Sequence, residues 1–325
     1  MAALALLSRG ARGYVPRAPR ALRTRLLASY VDAHTHLVHR KFDKGEGAAA
    51  AERAAAVGVS SIMVNGLRPE NNREVLEFCA QHKNALPCCG IYPLDACSNV
   101  ITPELWSHDF DPPEPFDVDA EVDWIREQAK AGTIAAIGEV GIDAYYMNDP
   151  VTMAEQERVL HRLIDVALET DLALILHTRK AEARIFEMLQ ERGVKKAVFH
   201  CYMGKLKLGK RIAEAGYYIS IPSAVARPHD TFVQMATRIP LERILTETDA
   251  PYMGPDKGER NEPATVPRAV AKIAEVRGVS VEEAAAQIQR NFRTVFGIDA
   301  GAAEEAPVAA EEQDATAGLS ESVKA

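Results

Sequence analysis

The chain has 325 residues, 47% hydrophobic and 26% charged, with a formal net charge of −8. That is the composition of a globular protein able to bury a large core, and no apolar run reaches the roughly 18 residues a bilayer span requires, which excludes an integral helical membrane protein. Five cysteines, odd in number and without a C-x-x-C pair, argue against a disulfide framework or a cysteine-based zinc site and for a reducing compartment.

Residues 1–30 carry six arginines (Arg9, Arg12, Arg17, Arg20, Arg23 and Arg25) and no acid, spaced through Ala, Leu, Ser and Pro. This composition predicts an organelle-transit segment, mitochondrial or plastid, with a cytoplasmic or nuclear location otherwise. From there on, short β-branched or apolar runs alternate with longer amphipathic ones. Strands are predicted at Tyr30–Asp32, Val59–Val64, Leu86–Ile91, Ile134–Gly138, Leu172–Leu176, Lys196–Phe199, Tyr217–Ile221 and Arg243–Thr246. Helices are predicted at Glu46–Val57, Asn71–His82, Ala120–Lys130, Met153–Glu169, Lys180–Glu191, Leu206–Ala215, Asp230–Arg238, Pro263–Val276 and Val281–Phe296. Eight strand–helix units across residues 31–298 match the size of a single-domain (β/α)8 TIM-type barrel. The open doubly wound alternative lacks its G-x-G-x-x-G fingerprint after every strand. The Pro-, Asp- and Glu-rich stretch Ser98–Val118 reads as a long surface loop near the barrel mouth. Residues 299–325 hold seven acids and one Lys without aromatics and read as a disordered acidic tail.

Chemistry-bearing residues fall at the ends of these strands. In extended chain, Asp32, His34 and His36 of the segment Asp32-Ala33-His34-Thr35-His36 share a face, so a carboxylate and two imidazoles converge. Glu139 follows the fourth strand, His177 ends the fifth, His200 ends the sixth and Asp249 follows the eighth. A barrel gathers its C-terminal strand ends on one face, where such proteins keep their chemistry. One histidine after a strand is commonly ordinary packing; four with two acids in this registration point to a metal centre. His39, His82, His108, His161 and His229 lack the registration and are assigned no metal. Asp143 and Glu247 stay ambiguous. The set suits two divalent ions, Mg, Mn or Zn, of which one activates water and the other polarises the scissile bond. Glu139 is expected to bridge them and Asp249 to act as ligand and general base, with Asp32 orienting His34 or His36 from behind.

These residues lie in D-A-H-T-H at 32–36, G-E-V-G-I-D at 138–143, H-T-R-K-A at 177–181, F-H-C at 199–201, T-E-T-D-A-P-Y at 246–252 and G-E-R-N-E-P-A at 258–264. In order and spacing these blocks resemble the signature of the TatD family, metal-dependent hydrolases of the amidohydrolase superfamily usually described as deoxyribonucleases. The resemblance implies a TIM-type barrel, divalent metals on His34, His36, Glu139, His177, His200 and Asp249, and phosphodiester hydrolysis in DNA. Where many members read G-x-H-P, this chain reads Gly90-Ile91-Tyr92-Pro93, so a phenol stands in place of an imidazole.

Arg179 and Lys180 follow His177, Lys205 follows His200, and Arg260 with Asn261 follows Asp249, so local positive charge for phosphates sits on the metal face of an acidic protein. Tyr92 is a candidate hydrogen-bond donor to a phosphate or leaving group, and Tyr252 a candidate for stacking on a base. The expected activity is DNA hydrolysis, trimming single strands or ends as an exonuclease. The alternatives are hydrolysis of an ester or amide, such as aminoacyl-tRNA deacylation, on the same scaffold, and a non-catalytic binding module. No obligate protein partner is implied.

Overall fold

The computed structural model describes residues 29–43, 45–228 and 231–298. The transit segment and acidic tail expected at the two ends, and His229, therefore lie outside the described residues, apart from positions 29 and 30. Among the described residues are eight strands: β1 (Tyr30–Thr35), β2 (Val59–Asn65), β3 (Ala85–Cys89), β4 (Ala136–Gly141), β5 (Leu174–His177), β6 (Ala197–Phe199), β7 (Tyr218–Pro222) and β8 (Ile244–Glu247). They pair in parallel in sequence order from β1 to β8. The helices are α1 (Glu46–Ala56), α2 (Pro69–Gln81), α3 (Pro93–Ala96), α4 (Val118–Ala131), α5 (Pro150–Thr170), α6 (Glu182–Arg192), α7 (Leu206–Glu214), α8 (Phe232–Arg238), α9 (Val266–Arg277) and α10 (Val281–Phe296). None is long and apolar enough to cross a membrane. The expected (β/α)8 barrel is the observed architecture.

The strands read as unbroken apolar runs because they are covered on both faces, outside by helices and inside by the barrel core. Leu174, Ile175 and Leu176 of β5 are all fully buried, as are Val198 and Phe199 of β6. The helices carry their own start signals. Asp117 and Asp149 cap α4 and α5 through side-chain oxygens, and Ser280 and Glu283 form a reciprocal capping box at α10.

Two boundaries differ from expectation in a way that matters. Strand β1 runs on through Thr35, so the polar pentapeptide is mostly strand, and β4 runs through Gly141, so Glu139 lies inside the strand. Polar residues continue these strands because partners within the barrel mouth satisfy them. The stretch 98–118 is also more than a loop. Together with α3 and a 3-10 turn at Ser98–Val100 it folds over a small separate core of Leu94, Cys97 and Met147, against which Tyr92, Trp106 and Tyr146 pack.

The ends of the sheet meet through side chains and loop backbone. Thr246 Oγ1 donates to Val31 O at 2.8 Å, Asp249 N to His34 O at 2.9 Å, and His36 N to Ala250 O at 2.8 Å. The fully buried Asp32 carboxylate accepts from His34 N at 3.2 Å, Thr248 N at 2.9 Å and Thr248 Oγ1 at 2.5 Å. Asp32 thus orients no imidazole, contrary to expectation; it fastens β1 to the segment after β8. Removing it strands three buried donors, each worth roughly 1–3 kcal/mol when left unpaired. We expect Asp32→Ala to lower unfolding stability by at least about 2 kcal/mol in urea titration, and Asp32→Asn, which keeps an acceptor oxygen, to lose less.

Candidate metal centre

The strand ends converge on Glu139. Its Oε1 lies 2.8 Å from His177 Nδ1 and 2.9 Å from His200 Nε2, while Oε2 lies 3.2 Å from His36 Nε2 and 3.6 Å from His34 Nε2. Asp249 Oδ1 completes the group at 3.5 Å from His34 Nε2 and 3.7 Å from His36 Nε2. The parallel rings of His34 and His200 stack with centroids 3.9 Å apart. Five of the six expected ligands thereby fall into two overlapping donor sets, His34–His36–Asp249 and His34–Glu139–His200. His177 is in neither. It reaches the same Glu139 but spends its second nitrogen on Asp143 Oδ2, at 2.9 Å.

The backbone makes this crowding possible where side chains must be missing. A Cβ on Gly90 would stand 2.4 Å from Glu139 O, so the β3 end can lie against Glu139 only as glycine. Gly141, at φ +147°, passes so close to His177 O that any side chain would collide with it. Asp249 itself takes a left-handed φ of 52°, which an acidic residue tolerates better than most, and its amide bonds His34 O.

The donor chemistry fits divalent cations. His36 Nδ1 bonds Asn65 O at 3.0 Å, which keeps a proton on Nδ1 and makes Nε2 the nitrogen a cation would take once its proton is displaced. Nε2 faces His34 Nε2 at 3.0 Å, and His34 Nδ1 is buried without a hydrogen-bond partner among the described residues. Two imidazole nitrogens and two carboxylates pointed at one small space repel unless a cation or protons stand between them.

The electrostatics follow from burial and neighbours. Burial alone would raise Glu139, but His200, His177 and His36 outweigh it and hold the carboxylate well below its usual range. Against burial, Glu139 and Glu247 push His200 well above the usual imidazole value; Glu139 and Asp249 raise His36, and Asp143 and Glu139 raise His177. His34 goes well below, through burial and the nearby His200. Burial lifts Asp249 to about 7 and Asp32 to about 8.

Around this centre the other expected residues are distributed unevenly. Tyr92 sits against it, its ring 5.0 Å from His177. Tyr252 is partly exposed beside His39, with Lys41 Nζ 4.0 Å over its ring. Arg179 is exposed and lies over Tyr145 at 3.8 Å. Lys180 and Lys205 line one groove of about 470 Å³, with Arg184 and Arg211. Arg260 is committed elsewhere, to Glu46 at 2.5 Å and Lys41 O at 3.2 Å. Asn261 is buried and bonds Thr248 O at 2.8 Å, with Thr265 on its other side, so it holds the loop after β8 and does not face a substrate.

The ambiguous acids gain places. Glu247 is fully buried, accepts from Ser220 Oγ and faces His200 Nδ1 at 3.8 Å. Asp143 grips His177 and also accepts from the amides of Tyr145 and Tyr146 at 2.9 and 2.8 Å. Asn65, Thr248, Gly90 and Gly141 were not singled out; the small residues flanking the polar strand ends were the available signal.

Since His36 and His200 hold protons above the usual imidazole value and a cation must displace them, lower pH favours the proton. We expect metal affinity to fall as pH drops from 8 to 6, by about tenfold per pH unit for each proton displaced, in calorimetric titrations with Mn or Zn.

Comparison with known proteins gives the family. The family model described as TatD related DNase matches residues 31–297. Human "Deoxyribonuclease TATDN3" is 29% identical over 269 residues, covering 82% of this chain and 94% of that protein. The "uncharacterized metal-dependent hydrolase YcfH" of Escherichia coli K12 is 29% identical over 282 residues, covering 83% and 96%. The crystal structure of YJJV, a TatD homologue from the same bacterium, superimposes with a TM-score of 0.70 at 24% identity over 84% of this chain and 99% of that one, which shows the common fold. A matching barrel, a matched family model over the whole of it, and a buried histidine–carboxylate centre at the strand ends together assign this chain to the TatD-related DNase family of metal-dependent hydrolases.

Proposed function

We propose that this protein hydrolyses phosphodiester bonds in DNA, working from strand ends at a centre of two divalent ions. The observation that carries the reading is the position of Glu139, whose two oxygens address two separate pairs of histidines, as a bridging carboxylate requires. His34, His36, Glu139, His200 and Asp249 would hold the ions, with His177 joining them by releasing a carboxylate. Bound ions of this kind acidify water and neutralise charge developing on a phosphoryl oxygen.

The chain's own residues do the rest. Asp249, at the edge of the donor group, would accept the proton of an attacking water as general base. The Asn65 carbonyl fixes the His36 tautomer, and Glu247 flanks His200 from behind. Burial, with Glu139 nearby, pushes the Tyr92 phenol well above its ordinary value, so it keeps its proton and can donate a hydrogen bond to substrate, but supplies a proton less readily than an imidazole. Arg179, Lys180 and Lys205 offer positive charge for the phosphate chain outside the mouth.

The test is hydrolysis of end-labelled single-stranded DNA with Mg, Mn or Zn. Asp249→Ala is expected to lower the rate by about 10²–10⁴-fold and Glu139→Ala to abolish it, both with unchanged circular dichroism. A base must be deprotonated, so the rate is expected to fall at acid pH, with its midpoint at or below about 7 because a cation stabilises the Asp249 carboxylate. Full activity in either variant overturns the assignment. A folded, metal-binding protein that cleaves no DNA with any of the three ions transfers the reading to an ester or amide substrate, a class the same centre can serve.

A further inference from the structure

We infer that an aromatic shelf beside the metal centre, made by Phe110 and Tyr145 and backed by Trp106, His108, Tyr146 and Arg179, binds the unpaired base of a single-stranded end. The inference rests on the DNA reading above and adds a seat for the base of the end nucleotide.

The shelf is built in two tiers. Trp106 and Tyr146 pack on the small core of Leu94, Cys97 and Met147, while Phe110 and Tyr145 project, 47% and 53% exposed. The rings form one connected cluster, with His108 edge-on to Trp106 and Tyr146 at centroid distances of 4.8 and 5.1 Å and stacked on Phe110 at 5.4 Å, while Tyr146 meets Phe110 at 5.5 Å and Tyr145 at 5.1 Å edge-to-face. His108 also holds the two segments together through Tyr146 O, at 2.9 Å. Trp106 and Tyr146 are half-buried against that core, while the rims of Phe110 and Tyr145 face solvent beside a guanidinium.

The shelf's position is tied to the metal centre. Asp143 uses one oxygen for the amides of Tyr145 and Tyr146 and the other for His177. Arg179, two residues after His177, sets its guanidinium 3.8 Å over Tyr145, and its carbonyl accepts from Ala144 N at 3.0 Å. Among the described residues Arg179 pairs with no carboxylate, so its N–H edges are available to a phosphate while its face is engaged by the ring.

An exposed aromatic rim beside an available guanidinium matches a nucleotide, one group for the base and one for its phosphate. Inside a duplex both faces of a base are already covered by its neighbours. An unpaired base at a strand end presents a free face, and that face is what the shelf can take. Stacking tolerates any base, so the seat is indifferent to sequence.

The test uses the full chain and fluorescent oligodeoxynucleotides differing only in whether the end nucleotide carries its base, with binding read by anisotropy in Ca²⁺ and turnover read separately in Mg²⁺ or Mn²⁺. The wild type is expected to bind the base-bearing end roughly ten- to a hundredfold more tightly than the abasic one. Phe110→Ala/Tyr145→Ala is expected to erase that difference and to raise KM with little change in kcat. Tyr145→Phe, which keeps the ring, should retain the preference. Thermal melting checks that the double variant folds, and the single variants Phe110→Ala and Tyr145→Ala give the same comparison if it does not. A base preference that survives in the Ala variants, or a wild type indifferent to the base or unable to bind DNA, overturns the shelf. Base-dependent binding without cleavage in any metal supports the shelf while removing the nuclease reading.

Discussion

The barrel mouth depends on keeping one carboxylate ionised where water cannot reach it. Glu139 is 97% removed from solvent yet sits well below the usual carboxylate range because three imidazoles repay its lost hydration. A charge buried without such partners costs several kcal/mol. The barrel mouth is accordingly organised to bring His36, His177 and His200 to it from three different strands. The glycines at 90 and 141, the left-handed turn at Asp249 and the bonds between β1 and the segment after β8 all serve that approach. Removing the cations these groups are suited to hold leaves the same charges to be balanced by protons, so folding, metal and pH are linked at a single point.

Much of this was legible in the sequence because the barrel converts registration into proximity. A residue at a C-terminal strand end has one destination, so His34, His36, Glu139, His200 and Asp249 could be placed together before any coordinate was known. The strands themselves were readable as apolar runs bounded by polar ends. Their boundaries at β1 and β4 were not, since a run such as Gly138-Glu139-Val140-Gly141 looks like a turn until its partners supply the hydrogen bonds that keep it extended.

Other residues failed the reading for a common reason: their roles are set by groups far away in sequence. Asp32 shares the alternation of His34 and His36, yet Thr248, 216 positions away, claims its carboxylate. Arg260 and Asn261 stand beside metal-face residues, but Glu46 and Thr248 hold them in the scaffold. His108, set aside as a bystander, connects the insertion to the loop after β4. Proximity along the chain identified the loop each residue belongs to without revealing which way its side chain turns.

The double grip of Asp143 has a geometric result. One carboxylate holds His177 of the strand-end centre on one oxygen and the amides of Tyr145 and Tyr146 on the other, so the spacing between that centre and the two rings is set by a single side chain. A spacing set by one buried side chain works as a fixed gauge: a strand end seated on those rings, as proposed, would meet the centre at one distance, whatever letters it spells.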